Sequence, residues 1–294
     1  MIIEMQDVVK KFGNVTALSG IGFSVQAGNT LGLLGPNGSG KTTTMRLLTG
    51  MIEPEGGSIR VLGLDPKTEG DGIRAQTGVL TENAAMYEWM TARQNLEFFG
   101  ALYGLSGPQL TRKIWDLIGM FHMDEYADKK VGGYSTGMKK RLAIARALIN
   151  SPKLLLLDEP TAGLDPESAL SIIKLIQTLS SEKVTVLLCT HQLFEAQTVC
   201  DEFVFLDKGT ILEAGSLEFL KKKYNHKETL LVRISGNPPE GYEVKDGQMA
   251  IDIESEQEIP GIIRALSAQC DVYDARLREH DLSDIYFKVR EKVQ

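Results

Sequence analysis

The run Gly35-Pro36-Asn37-Gly38-Ser39-Gly40-Lys41-Thr42 carries the residue types that hold a chain of phosphates. Phosphate oxygens are met by several backbone N–H groups pointing inward, and glycines let the backbone curl that closely. Lys41 places a point charge on the outer phosphates, and the Thr42 hydroxyl is a ligand for Mg2+. A helix starting at about Gly40, with Thr43 in its first turn, faces its positive end toward the same anion. These residues fill the pattern G-x-x-x-x-G-K-[ST] of a phosphate-binding loop. A glycine-rich turn is the alternative. At the usual ~7 % glycine, the fixed positions coincide by chance in on the order of one chain in a hundred. Residues 35–43 are therefore a candidate nucleotide-binding stretch.

A second constellation is Leu154-Leu155-Leu156-Leu157-Asp158-Glu159. A hydrophobic strand delivers carboxylates to its C-terminal end, where open α/β sheets bind ligands. Asp158 suits Mg2+, held directly or through water. Glu159 has no basic neighbour and suits proton abstraction from water. Two surface acids at a strand end are the bland alternative, and the loop upstream argues against it. A third candidate, His191, follows another buried strand as part of Thr190-His191.

The surrounding pattern supplies the elements that position these groups. Residues 29–34 read as a short buried strand and 43–49 as an amphipathic helix closed by Gly50, the strand–loop–helix setting the pattern requires. Residues 2–34 read as short strands with turns at 11–14 and 26–29, and 59–62 and 78–80 continue the strand signal. From 91 to 150 the period becomes helical. Leu96, Phe99, Leu102 and Tyr103 recur at helical spacing, as do Ile114, Leu117, Ile118 and Phe121, and core packing is the preferred reading for both sets. After Pro152 strands at 154–157 and 184–189 alternate with helices at 169–179 and from Leu193. Such alternation predicts a mostly parallel sheet with helices on both faces. Lys221-Lys222-Lys223 ends a helix as a solvated cationic run, and a linker follows at 223–228. Beyond it, strands at 230–234, 249–253 and 272–276, helices at 259–266 and 282–289, and a turn at Asn237-Pro238-Pro239 make a small α+β domain over 229–294 without recognisable chemistry.

Composition narrows the function class. The 294 residues hold 32 basic and 39 acidic side chains, a net charge of −7, which argues against nucleic-acid binding driven by counterion release. No run approaches the ~18 apolar residues of a membrane span, and the N-terminus lacks the pattern of a signal peptide. Cys189, Cys200 and Cys270 are widely spaced, without a C-x-x-C pair, and read as buried, reduced thiols of a cytosolic protein.

Taken in order, these motifs resemble the ATP-binding subunit of an ABC transporter. Tyr134-Ser135-Thr136-Gly137-Met138 stands where that family has its L-S-G-G-Q signature. Asp158-Glu159-Pro160-Thr161 matches the Walker B ending, Ala162-Gly163-Leu164-Asp165 the D-loop, Thr190-His191 the switch histidine, and Phe12 the aromatic residue that stacks on adenine. The resemblance covers residues 1–222. It implies a P-loop NTPase cassette with a mostly parallel sheet core, an antiparallel β subdomain and a helical subdomain at about 83–149. It also implies ATP and Mg2+ as ligands, with hydrolysis by Glu159. A head-to-tail dimer follows from the family, in which Ser135 and Gly137 of one copy grip the γ-phosphate of ATP held by the other. His191 is then a γ-phosphate ligand. A core role remains the alternative for Phe12. The signature departs from the family at Tyr134, Thr136 and Met138. At the Q-loop position, Glu82 stands where Gln is usual. It is implied to reach Mg2+ and the attacking water, with a solvated loop acid as the alternative. Glu82 and the C-terminal Leu282-Ser283-Asp284-Ile285-Tyr286-Phe287 resemble the drug- and antibiotic-exporter (ABC-2 type) subgroup. That implies a separate integral membrane permease as partner, a place on the inner face of the cell membrane through that permease, and docking through residues 83–103. The rivals are a soluble ABC-type ATPase acting on ribosomes or DNA, and an ATP switch that does not hydrolyse.

Overall fold

The structure, a computed structural model, describes residues 1–294 apart from 82–85, 225–227, 236–237, 239–243, 246–247, 279–280 and 293–294. The chain divides into two compact units, Met1–Leu217 and Glu218–Gln294.

In the first unit the elements run β1 (Ile3–Phe12), β2 (Val15–Val25), β3 (Thr30–Leu34), α1 (Lys41–Leu48), β4 (Gly56–Val61), α2 (Pro66–Arg74) and β5 (Thr77–Leu80). They continue as α3 (Ala92–Leu102), α4 (Gly107–Met120), α5 (Thr136–Ala147), β6 (Leu154–Asp158), α6 (Pro166–Ser181), β7 (Thr185–Thr190), α7 (Leu193–Val199), β8 (Glu202–Asp207) and β9 (Thr210–Gly215). The central sheet has the order β5-β6-β7-β3-β8-β9, parallel except for β9. A second, antiparallel sheet has the order β2-β1-β4. This is the expected α/β P-loop cassette. β3, β6 and β7 are buried at every position, as strands covered on both faces require.

β1 and β2 differ from the short strands expected. They are ten and eleven residues long, joined by a turn of only Gly13 and Asn14. Three register shifts along the pair break the alternation of buried and exposed residues, which hides its length from a period-two reading. The β8–β9 hairpin and α2 were not anticipated at all.

The region from α3 to α5 is helical as expected. Ile114, Leu117, Ile118 and Phe121 are buried on α4 and at its end. For α3 the core assignment is corrected. Its buried face is Ala92, Asn95, Leu96 and Gly100, whereas Leu102 is 68 % exposed and Tyr103 is 45 % exposed. Leu102 lies about 240° round the helix from Leu96, and Tyr103 stands past its last turn.

The second unit holds α8 (Leu217–Lys223, from its second residue), β10 (Glu228–Ile234), β11 (Val244–Lys245), β12 (Gln248–Ile253), α9 (Ile259–Ser267), β13 (Val272–Arg278) and α10 (Leu282–Glu291). Its antiparallel sheet has the order β11-β12-β10-β13, and Leu266 of α9 joins Leu230, Val232, Met249 and Ile253 in its core. The division falls after the first residue of α8 rather than at its end. Lys288 Nζ of α10 donates to the Tyr224 carbonyl at 3.0 Å, tying the end of α8 to the second unit. Of the turn expected at 237–239, only Pro238 is described.

Candidate functional site

Sheet register brings the motifs together. Leu34 pairs with Thr190, and Cys189 with Asp158, so β3, β7 and β6 end in one row. The next residue on each strand is Gly35, His191 or Glu159. The Gly35 N–H donates to Thr190 O at 3.3 Å and the Glu159 N–H to Cys189 O at 2.9 Å, fixing where the chain leaves the sheet.

From Gly35 the loop wraps tightly. A methyl group on Gly35 would stand 2.0 Å from the Leu206 carbonyl oxygen, so only glycine fits. Gly38 and Gly40 take φ of +81° and +115°, which glycine adopts without strain. Helix α1 begins at Lys41, one residue later than expected, with Gly40 as its cap. The Lys41 ammonium donates to Gly35 O at 2.7 Å and Pro36 O at 3.2 Å, and lies 3.5 Å from Glu159 Oε1. Ser39 Oγ is buried under the loop without a hydrogen-bond partner.

The loop opens on a cleft of about 630 Å³ lined by Asn37, Gly38, Gly40, Lys41, Thr42, Thr43, Asp158 and Glu159. Val15, Thr16 and Ala17 of β2 and Lys208 complete its wall. Thr42 Oγ1 donates to Asp158 Oδ2 at 2.9 Å. This pairing of a hydroxyl and a carboxylate suits Mg2+, which takes one or two protein oxygens and fills its octahedron with phosphate and water. Among the described residues no three His, Cys, Asp or Glu side chains form a metal cage.

Glu159 is only 6 % exposed and takes a left-handed φ of +47°. Such strain in a non-glycine residue persists where the surroundings fix it. Here the Thr190 hydroxyl donates to Oε2 at 3.2 Å, and His191 Nδ1 lies 3.0 Å from Oε1. An ionised carboxylate accepts only, so Nδ1 is the donor in that contact when the Glu159 carboxylate is ionised. Behind the site, burial pushes the Cys189 thiol well up, with Asp158 adding to the effect. Cys189, Cys200 and Cys270 are all free thiols.

The remaining candidates lie elsewhere. Phe12 is at the end of β1, 46 % exposed, and pairs with Val15 of the cleft wall. Ser135 caps α5, its Oγ accepting from the Met138 N–H at 3.3 Å. Gly137 is inside the first turn of α5, not ahead of it, and is buried against Ser168. Neither lines the cleft of its own chain. Glu82 is outside the described residues.

Two residues of the quoted motifs make contacts that the sequence does not show, and one contributor, Lys208, is missed by it. Thr190 orients Glu159. Lys208 reaches the cleft from the β8–β9 turn, where Lys208 and Gly209 have φ of +45° and +77°. The Lys-Gly pair between two apolar runs was a readable hairpin signal, but its proximity to the loop depends on sheet order. The Thr161 hydroxyl donates to Glu195 Oε2, linking the segment after Glu159 to α7. Burial pushes the Glu195 carboxyl up, partly offset by that hydrogen bond.

Comparison with known proteins agrees with this geometry. Residues 18–162 match the family described as ABC transporter. The chain is 37 % identical over 224 residues to the ABC transporter ATP-binding protein NatA of Bacillus subtilis (strain 168), covering 74 % of this chain and 91 % of that protein. It is 37 % identical over 238 residues to the Nod factor export ATP-binding protein I of Rhizobium sp. (strain N33), covering 81 % and 78 %. Among solved structures it resembles a dimeric, post-hydrolysis state of the ATP-binding cassette MJ0796 bound to ADP and Pi. There the TM-score is 0.67 and the identity 25 %, over 73 % of this chain and 98 % of that one.

Proposed function

The chain belongs to the ABC transporter family of ATP-binding subunits, and we propose that residues in and around its cleft serve ATP hydrolysis in the following way. Lys41 and the amides of residues 35–43 hold the phosphates. Thr42 and Asp158 hold Mg2+, which when bound neutralises charge on the phosphate oxygens. Glu159 takes the proton of the attacking water, and the contacts to Thr190 and His191 aim its carboxylate. His191 contacts the γ-phosphate. Phe12 stacks on adenine. Glu82 serves Mg2+ and the attacking water, as the family resemblance implies. Ser135 and Gly137 of a second copy close over the triphosphate. ATP then closes a head-to-tail dimer and hydrolysis reopens it, the two states that drive a membrane partner.

The observation that carries this reading is the row formed by Gly35, Glu159 and His191 at the ends of three adjacent strands, with Thr42 on Asp158 at 2.9 Å. A switch that binds without hydrolysing has no use for a buried carboxylate held by both Thr190 and His191. No helix among the described residues is long and apolar enough to cross a membrane. One relative's name refers to Nod factor export, which supports the exporter reading. Steady-state phosphate release tests the chemistry, with magnesium and with it chelated. Co-purification from membranes tests the partner. Turnover that is independent of magnesium, or a membrane fraction without a permease, contradicts the reading.

A further inference from the structure

Lys10 and Glu55, which the scheme above does not use, form a chain of contacts that ends on Phe12. Phe12 ends β1 beside a two-residue turn, where a strand end is prone to fray. A carboxylate on the neighbouring segment holds it. Glu55 Oε1 accepts from Lys10 Nζ at 2.8 Å, and Oε2 accepts from the Lys11 N–H at 2.8 Å. Lys11 is two residues on from Val9, so its N–H faces the same side of β1, toward Glu55. Lys10 Nζ also donates to Glu53 O at 2.7 Å, and the Glu55 N–H donates to Val9 O at 2.9 Å. The Lys10 hydrogen bond, then that of Lys11, holds the Glu55 carboxyl below the usual range, so it is ionised at neutral pH.

The consequence falls on the aromatic ring. Lys10 and Phe12 are two residues apart on one strand, and the Lys10 ammonium stands 5.2 Å from the centre of the Phe12 ring. Its side chain is only 11 % exposed, whereas Phe12 remains 46 % exposed. One face of the ring is covered by a cation, and its exposed surface is left for a second planar group. The pairing of Phe12 with Val15 sets this ring beside the wall of the phosphate cleft.

We propose that Glu55 and Lys10 are positioning residues for the nucleotide base: Glu55 pins the end of β1, and Lys10 backs the Phe12 ring so that the purine stacks on its other face. This rests on the reading of Phe12 as the adenine contact. The clamp acts on the base and not on the phosphates, so it separates affinity from turnover.

The test compares calorimetric binding of ATP and of inorganic tripolyphosphate, which lacks a base, by the full chain. Glu55→Ala and Lys10→Met are expected to weaken ATP by about three- to tenfold. They are expected to leave tripolyphosphate unchanged and to raise the KM for ATP without changing kcat. Lys10→Arg, which keeps both the ion pair and the cation over the ring, retains ATP affinity. Added to Phe12→Ala, Glu55→Ala has no further effect. If Phe12→Ala weakens ATP while Glu55→Ala and Lys10→Met do not, the clamp is refuted and the stacking role of Phe12 stands. If Phe12→Ala itself binds ATP normally, the stacking reading fails and the clamp with it. Equal loss of tripolyphosphate affinity shows that the cluster supports the fold of the loop instead, which also overturns the inference.

Discussion

At the scale of single residues, the chemistry converges on Glu159. Its carboxylate is buried, held in left-handed backbone, and divided between two contacts: Oε2 accepts from Thr190, and Oε1 faces His191 and Lys41. A group so fixed costs little reorganisation when water must be oriented. Removing a neighbour should therefore affect rate more than binding. His191→Ala is expected to lower kcat by about 10²-fold, the scale of one lost donor at a reacting centre. The Kd for ATP is expected to stay within about threefold of the parent, because the loop amides and Lys41 are untouched. Steady-state turnover and calorimetry on the same preparation check this, and a variant with parental kcat removes His191 from the scheme. Lys41, Thr42, Asp158, Glu159 and His191 were legible in the chain because each lies in a local pattern that carries its own chemistry. The contact of Thr190 with Glu159 and the place of Lys208 were not, because both come from strand register and sheet order, which no local window contains.

At the scale of elements, the departures from the family signature have a packing explanation at Tyr134. Where the family has Leu, the tyrosine ring is buried and meets Tyr126 edge-on at 5.1 Å, and its hydroxyl donates to the Tyr126 carbonyl at 2.5 Å. The larger side chain thus pins the turn before α5 to the segment ahead of it. Burial pushes the Tyr134 phenol up to about 12. A folded-state value above the unfolded one means this stabilisation is complete below about pH 10 and is lost as pH rises through about 12. Tyr134→Phe is expected to cost about 0.5–1.5 kcal/mol at neutral pH, with a correspondingly lower Tm. ATP binding is expected to be spared, because the phosphate loop lies on other elements. A variant as stable as the parent contradicts the account of this contact. The element boundaries also show what periodicity can and cannot give. Strands buried on both faces, such as β3 and β6, announce themselves as apolar runs. The bulged β1–β2 pair and the end of α3 do not, because a register shift or a helix stop changes which face a residue presents.

At the scale of the whole molecule, the function proposed above has the chain pass the closing of its site to a membrane partner. Tyr87, Trp89, Phe98 and Phe99 form a connected aromatic cluster, with ring centres 5.0–5.9 Å apart. Trp89 and Leu102 remain 66 % and 68 % exposed. This cluster overlaps the segment proposed to dock on the permease. Trp89→Glu combined with Leu102→Glu is expected to reduce recruitment to permease-containing membranes by about tenfold or more, since exposed aromatics dominate such interfaces. ATP binding in solution is expected to be unchanged, and full recruitment of the double variant contradicts the assignment. The central claim is narrower: one chain binds ATP, pairs with a second copy over it, and hydrolyses it through Glu159. Sedimentation of Glu159→Gln with and without Mg-ATP, read beside its turnover, tests all three parts together. The account predicts a monomer that becomes a stable ATP-bound dimer, with kcat lowered by about 10²–10⁴-fold. Undiminished turnover, or a variant that binds Mg-ATP and stays monomeric, contradicts it.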